Sequence, residues 1–252
     1  MSTLSLTVEP AVFERFPGIR VVMVIATGID ARRPRQELSA RLAAAWSSAG
    51  QAALDAGSPQ AHPRIRPWRK ALSAQGFPGD KFPCSVEAMM RRARRGGPPP
   101  FINPLVDFYN AVSLERLIPG GGWDLKALEG DLALRLTRPG ETFLALDAQE
   151  PVPVSAGETS YADARDLLTR HLAWRQSRKA LLQADTRHAV LVAEFLPNPE
   201  TGDDPDGVAE EMAAAFREGL EGYFGAVTVA GVVSPDHPAL SLPHPPGRVD
   251  GN

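Results

Sequence analysis

The stretch "PPPFINPLVDFYNAVSLERLIPGGGWDL", residues 98–125, runs from three prolines through an Asn-Pro pair into an apolar segment and stops at three glycines. Asn103 is a good helix N-cap, and Pro104 suits the first helical position, where its missing N–H costs nothing. From Pro104 the chain "PLVDFYNAVSLERL" makes about four helical turns. Leu105, Phe108 and Val112 share one stripe and Asp107, Asn110 and Leu114 another, so the helix is apolar on most sides and predicted to be buried. A buried acid and amide need hydrogen-bond partners. They either tie down a neighbouring loop, for which "PGGGWD" is the nearest candidate, or stand beside a site where bare glycines let a ligand approach closely.

Upstream, "IRVVMVIATGI" (19–29) reads as a buried strand, β-branched and ended by glycine. "PRQELSARLAAAWSSAGQAAL" (34–54) reads as a helix with Leu38, Leu42 and Trp46 along one face. Residues 57–82, rich in Pro, Gly and Arg, are expected to form an irregular connection longer than the usual loop, which makes them a functional or mobile candidate. "SVEAMMRRARRG" (85–96) is a helix capped by Ser85 and ended by Gly96, with Val86, Met89, Met90 and Ala93 inward and four arginines opposite.

Downstream, "DLALRLT" and "ETFLALD" are expected to pair as strands around the turn "RPGE". "PVPVSAGETSYAD" reads as extended, "ARDLLTRHLAWRQSRKALLQ" (164–183) as helix, and "AVLVAEFL" as a buried strand carrying an acid near its end. "DGVAEEMAAAFREGLEGYF" is an amphipathic helix with Val208, Met212, Phe216 and Leu220 on one face, and "AVTVAGVV" is a last strand. The expectation is an α+β protein, mixed β-sheets packed with helices. It forms one compact unit over residues 1–233 with two packed lobes, followed by a poorly ordered proline-rich tail at 234–252.

Composition excludes several classes. With 252 residues, 43% hydrophobic and 23% charged, the chain can bury a real core, and its net charge of −3 announces no nucleic-acid partner by itself. One cysteine, Cys84, allows neither an internal disulfide nor a thiolate metal site and suits a reducing cytoplasm. Its place before a helix N-terminus would lower its thiol pKa, although a buried structural thiol is the alternative. The histidines at 62, 171, 188, 237 and 244 show no metal-ligand spacing, so no metal is expected. "GGGWD" lacks the lysine and hydroxyl of a P-loop, so nucleotide hydrolysis is unsupported and no cofactor is expected. No secretory signal is read in the first 20 residues, and "VVMVIA" is too short to span a bilayer, so the expectation is a soluble cytoplasmic protein without a membrane partner.

The charge is unevenly spread. Residues 60–100 hold Arg64, Arg66, Arg69, Lys70, Lys81, Arg91, Arg92, Arg94 and Arg95 against only Asp80 and Glu87. Such a zone on an acidic body is either a footprint for a polyanion or a solvated face whose cations favour a helix C-terminus. Lys81, Arg91, Arg92, Arg94 and Arg95 are the candidate contacts to RNA phosphates.

The run "INPLVDFYN…LIPGGGWDLKALEGDLALRLTRPGETFLALD" resembles the editing and tRNA-binding module of the phenylalanyl-tRNA synthetase beta subunit. That module carries an N-x-V-V-D-V-T-N helix, an H-A-F-D turn and then G-x-I-x-V-R-x-A-x-x-G-E-x-L-x-x-L-D-G. The likeness spans about 100–195 and continues upstream through "DKFPCSVEAMMRRARRGGPPP", which is similar to free-standing versions of the module. It implies a tRNA or aminoacyl-tRNA partner and hydrolysis of a wrongly attached amino acid, with no ligase core. Scaffold positions match at Asn103, Asp107, Asn110, Asp124, Arg135, Gly140 and Glu141. The chain departs where chemistry is concerned. Tyr109 stands for the family's threonine, Gly121 for its histidine, and the Trp174, Arg175 and Gln176 segment for its glycine pair. The family's recognition acid falls on Glu194, or on Val192 by strict spacing from Thr186.

The resemblance therefore implies a pocket between the "GGGWD" turn (Gly120, Gly121, Gly122), the Trp174–Arg175–Gln176 segment and Glu194, narrowed by Tyr109 and bordered by Asn110. His171 and Glu194 are the proton-acceptor candidates. Arg175 would need a partner if buried, and Glu194 is the nominated one. The expected reaction is attack of water on the aminoacyl ester, helped by the terminal ribose hydroxyl and by backbone donors at the glycines. The alternative is a non-catalytic module that binds RNA or an amino-acid-like ligand.

Overall fold

In the computed structural model, which describes residues 3–32 and 36–245, the chain opens with β1 (Thr3–Val8), α1 (Pro10–Arg15) and β2 (Arg20–Thr27). Four helices follow: α2 (Gln36–Asp55), α3 (Arg66–Ala74), α4 (Ser85–Ala93) and α5 (Pro104–Arg116). Then come β3 (Gly120–Asp124), β4 (Leu132–Leu136), β5 (Thr142–Phe143), β6 (Val152–Pro153) and β7 (Thr159–Ala162). Next are β8 (Thr169–Arg170), β9 (Arg175–Gln176) and β10 (His188–Phe195), before α6 (Pro205–Phe224), β11 (Val227–Val233) and β12 (Ala239–Pro243). The class is α+β with one mixed and one antiparallel four-stranded sheet.

The antiparallel sheet has the order β11-β2-β10-β3. Strand β2 lies inside it, and both of its faces are covered, which is why the run at 21–26 shows no polar alternation. Val21, Met23 and Ile25 join a core with Leu4 and Leu6 of β1, Leu132 and Leu134 of β4, and Trp46 of α2. Val22, Val24 and Ala26 point to the other side, against Met212, Phe216 and Leu220 of α6 and Phe108 and Val112 of α5. The mixed sheet has the order β12-β1-β4-β7, with β1 and β4 parallel and the outer pairs antiparallel.

The helix ends follow their local chemistry. Asn103 caps α5 by accepting from the Val106 N–H at 3.1 Å, while its Nδ2 donates to the Leu182 carbonyl. Asp204 caps α6 by accepting from Asp206 and Gly207, and Gly225, at φ 62°, ends that helix in the left-handed conformation that glycine tolerates. No helix among the described residues is long and apolar enough to cross a membrane.

Five expectations are corrected. The three glycines form edge strand β3, not a bare loop, because they pair with Val192 and its neighbours in β10. Strands β4 and β5 do not pair with each other; the Pro-Gly turn releases the chain so that β4 joins β7 and β5 joins β6. The helix expected over 164–183 does not form. Leu167 bridges to Ala162, and His171, Leu172 and Ala180 all take positive φ, so tertiary pairing overrides composition. Residues 57–82 are not wholly irregular, since α3 buries Trp68, Ala71 and Leu72. The proline-rich C-terminal segment contributes β12, paired antiparallel to β1 across Leu4↔Leu242 and Leu6↔Leu240; residues 246–252 of the expected tail lie outside the described residues.

Candidate functional site

Edge strand β3 sets the floor of a cleft of about 310 Å³, and its three glycines are not equivalent. A Cβ on Gly122 would stand 2.4 Å from Leu191 Cδ2, and one on Gly120 would stand 2.8 Å from Ser113 Oγ. These two are glycine for close packing. A Cβ on Gly121 would meet nothing within 4 Å, so this glycine opens space in the cleft. Helix α5 adds Tyr109 and Asn110, helix α4 adds Ser85, Ala88, Met89 and Arg92, and the β8–β9 hairpin adds Trp174, Arg175 and Gln176.

The structure thus brings Tyr109, Asn110, Gly120, Gly121, Trp174, Arg175, Gln176 and Glu194 to one cleft. Gly122 supports it from the strand instead: its carbonyl accepts from Gln176 Nε2 at 2.9 Å, which pins the hairpin to β3. Val192 and Glu194 both line the cleft, because alternate residues of a strand share a face. Asp107 ties down the proline-rich segment before its helix rather than the glycines, accepting from the Ile102 N–H at 2.8 Å.

Glu194 is the buried acid of this site. Its Oε1 accepts the Tyr161 hydroxyl at 2.7 Å, and both side chains are buried. Burial pushes the Glu194 carboxyl up to about 7, with the Tyr161 hydrogen bond opposing the rise. Tyr161 packs edge-on against Trp123, with ring centroids 5.2 Å apart. Sequence reasoning nominated neither residue as a site group. For Trp123 the signal was present, at the fourth place of the glycine strand. For Tyr161, 33 residues away from its partner, no local signal exists.

His171 stands apart from the cleft. Its ring is wedged among Phe77, Phe82 and Trp174, with centroids 4.3, 4.1 and 5.4 Å away. Burial lowers its pKa to about 4, against the opposing Glu158 carboxylate, so it is a neutral aromatic buttress behind Trp174. Nor does Arg175 pair with Glu194. It is exposed, meets Asp147 at 3.0 Å and lies 5.5 Å from the Trp174 ring centroid. Cys84 is buried and its thiol is pushed up to about 12 by burial, the opposite of an activated thiol. It occupies the N-cap place expected for Ser85, which begins the helix.

The basic zone divides in two. Arg64, Arg66 and Arg69 meet Asp203, Glu200 and Glu87, and Arg91 meets Glu87 at 2.7 Å. These arginines hold the fold. Arg92 lines the cleft and lies 5.8 Å from the Trp46 ring centroid. Arg94, Arg95 and Lys81 are exposed and have no acidic partner within 4 Å among the described residues. Arg91, Arg94 and Arg95 surround a concavity of about 600 Å³ at the end of α4.

Residues 72–203 match the model of the B3/4 domain, the domain of the phenylalanyl-tRNA synthetase beta-subunit family. The chain belongs to the B3/4 domain family. Every residue that lines the cleft, from Ser85 to Glu194, falls inside that B3/4 match. No curated protein matches the chain. Among solved structures it is similar to an N-terminal fragment of the phenylalanyl-tRNA synthetase beta subunit from Pyrococcus horikoshii, at 11% identity and a TM-score of 0.43. That alignment covers 90% of this chain and 51% of the fragment, so the chain spans about half its length.

Proposed function

We propose that the cleft receives the aminoacyl group of an aminoacyl-tRNA and that the protein hydrolyses the ester in trans. One observation carries this reading: an amino-acid-sized cleft with a buried, ionisable acid in its lining adjoins a helix end where Arg94 and Arg95 meet no acid among the described residues. The acid and aromatic walls suit a polar side chain, and Arg92, Arg94, Arg95 and Lys81 suit the phosphates of the nucleic acid that presents it. Tyr109 narrows the cleft from α5, and the Tyr161 phenol already occupies one oxygen of Glu194, which disfavours tyrosine as the bound side chain.

The chemistry is water attack on an activated ester. The ester is held beside the edge of β3, where a sheet edge leaves backbone groups outside the ladder. Of the two groups nominated from the sequence as proton acceptors, Glu194 alone lies in the lining, where it faces the aminoacyl side chain, and the terminal ribose hydroxyl assists the attacking water. The second reading is binding without turnover, and the withdrawal of His171 from the cleft favours it.

Single-turnover deacylation across cognate and mischarged aminoacyl-tRNAs separates the two. Hydrolysis of a small or polar ester, lost in Glu194→Gln, is the expected result. Rapid clearance of tyrosyl ester with the others untouched would contradict this account of the cleft. Binding with no hydrolysis of any ester would establish the second reading.

A further inference from the structure

On the reading of the cleft as an aminoacyl site, the surroundings of Glu194 narrow the class of side chain. Among the described residues, three of the four other buried acids meet a cation, and the fourth, Asp107, accepts from the Ile102 N–H. Glu87 meets Arg69 and Arg91, Glu158 meets Arg170 at 2.6 Å, and Asp163 meets Lys179 at 3.7 Å. Glu194 has no cation within 4 Å among the described residues, and its side-chain partner is the Tyr161 hydroxyl. The protein therefore already supplies a neutral donor to this carboxyl, and the two cations of the lining, Arg92 and Arg175, stand elsewhere in the cleft.

The remaining walls fit that deficit. Tyr109, Trp123, Tyr161 and Trp174 line the same cleft, and aromatic rings attract cations through their quadrupoles. Trp174 already has the guanidinium groups of Arg170 and Arg175 within 5.9 and 5.5 Å of its ring centroid. We propose that the cleft selects an aminoacyl group whose side chain ends in an aliphatic ammonium, of the lysine and ornithine class, with the ammonium seated against Glu194. Arg92 and Arg175, in the same lining, suit the phosphate-bearing end of the ligand rather than its side chain.

The proton balance gives a signature that a neutral side chain would not share. The charged and titratable groups of the lining are Glu194 of β10, Tyr161 of β7, Tyr109 of α5, Arg92 of α4 and Arg175 of β9. Of these, only Glu194 changes charge near neutrality, because burial holds both phenols above their ordinary range. An ammonium ligand binds the carboxylate, so affinity rises as Glu194 loses its proton between about pH 6 and pH 8, where the ligand amine stays charged.

Isothermal titration with non-hydrolysable 3′-aminoacylamino-adenosines carrying lysine, norleucine or tyrosine tests this. The lysyl compound should bind at least about tenfold tighter than the norleucyl one, which keeps the four side-chain carbons and lacks the amine, with the gap widening from pH 6 to pH 8. Glu194→Gln should erase the gap, while Tyr161→Phe, which leaves the carboxylate in place, should keep it. Equal or tighter binding of the norleucyl or tyrosyl compound would overturn the cation preference and leave the aminoacyl-site reading standing. Failure of all three to bind would overturn that reading, and this inference with it.

Discussion

Glu158 and Glu194 are buried to nearly the same degree, at 2% and 4% exposure, yet the fold treats them in opposite ways. Glu158 is gripped by the Arg170 guanidinium in two bonds of 2.6 and 2.7 Å. Glu194 has a phenol and, among the described residues, no counter-charge. The first arrangement satisfies a charge and leaves nothing for a ligand. The second leaves an ionisable group short of a partner inside a cleft, where a perturbed carboxyl most often signals function. The difference separates scaffold from site more sharply than burial or conserved-looking motif spacing can.

Removing the charge should therefore move stability in opposite directions. Glu158→Gln leaves the half-buried Arg170 without its partner and should cost about 3 kcal/mol in denaturant unfolding. Glu194→Gln should be nearly neutral at pH 5 and stabilising at pH 8. The sign follows from linkage. The folded pKa of Glu194 lies near 7, above the unfolded carboxylate value, so the native state holds the extra proton between the two. Stability is then lost as pH rises from about 4.5 to 7, on the order of 1.4 kcal/mol per unit shift, and the variant should lack that decline. Parallel pH profiles for the two proteins would break the comparison.

A smaller effect distinguishes the glycines. Gly122→Ala drives a methyl into Leu191 and the Val190 carbonyl and should cost about 1–3 kcal/mol. Gly121→Ala should leave the unfolding midpoint unchanged and weaken ligand binding, because its methyl projects into open cleft. Equal destabilisation by both would remove Gly121 from the site.

The smallest effect concerns the arginines. Arg94→Gln with Arg95→Gln should weaken tRNA binding and flatten its salt dependence by roughly one unit of slope per lost phosphate contact, with little change in stability. Arg91→Gln should instead lower stability, since it strips Glu87 of one of its two arginines. Unchanged affinity and slope in the double variant would mark that end of α4 as a merely solvated face.

Much of the site was legible because it is built from local patterns. The Asn-Pro cap of α5, the glycine run (although it is a strand and not the expected turn) and the acid of β10 each announce themselves in a few residues, and strand alternation places Val192 and Glu194 on one face. The parts that were not legible depend on distant partners. Tyr161 reaches Glu194 only through pairing of β7 with β4, and α4's Arg91 is neutralised by a glutamate whose burial no charge count reveals. Residues 164–183 misled for a physical reason. Their leucines and arginines favour helix, while His171, Leu172 and Ala180 are held at positive φ by contacts the local sequence does not encode.

The most direct test of the central claim is a crystal structure with a 3′-aminoacylamino-adenosine bound. The expected result is density for the aminoacyl group between Gly121, Trp174 and Glu194, with the ribose toward Arg92. Density instead in the larger concavity of about 860 Å³ beside Arg66, Lys70 and Pro197, with the cleft of β3 and β10 empty, would contradict the account.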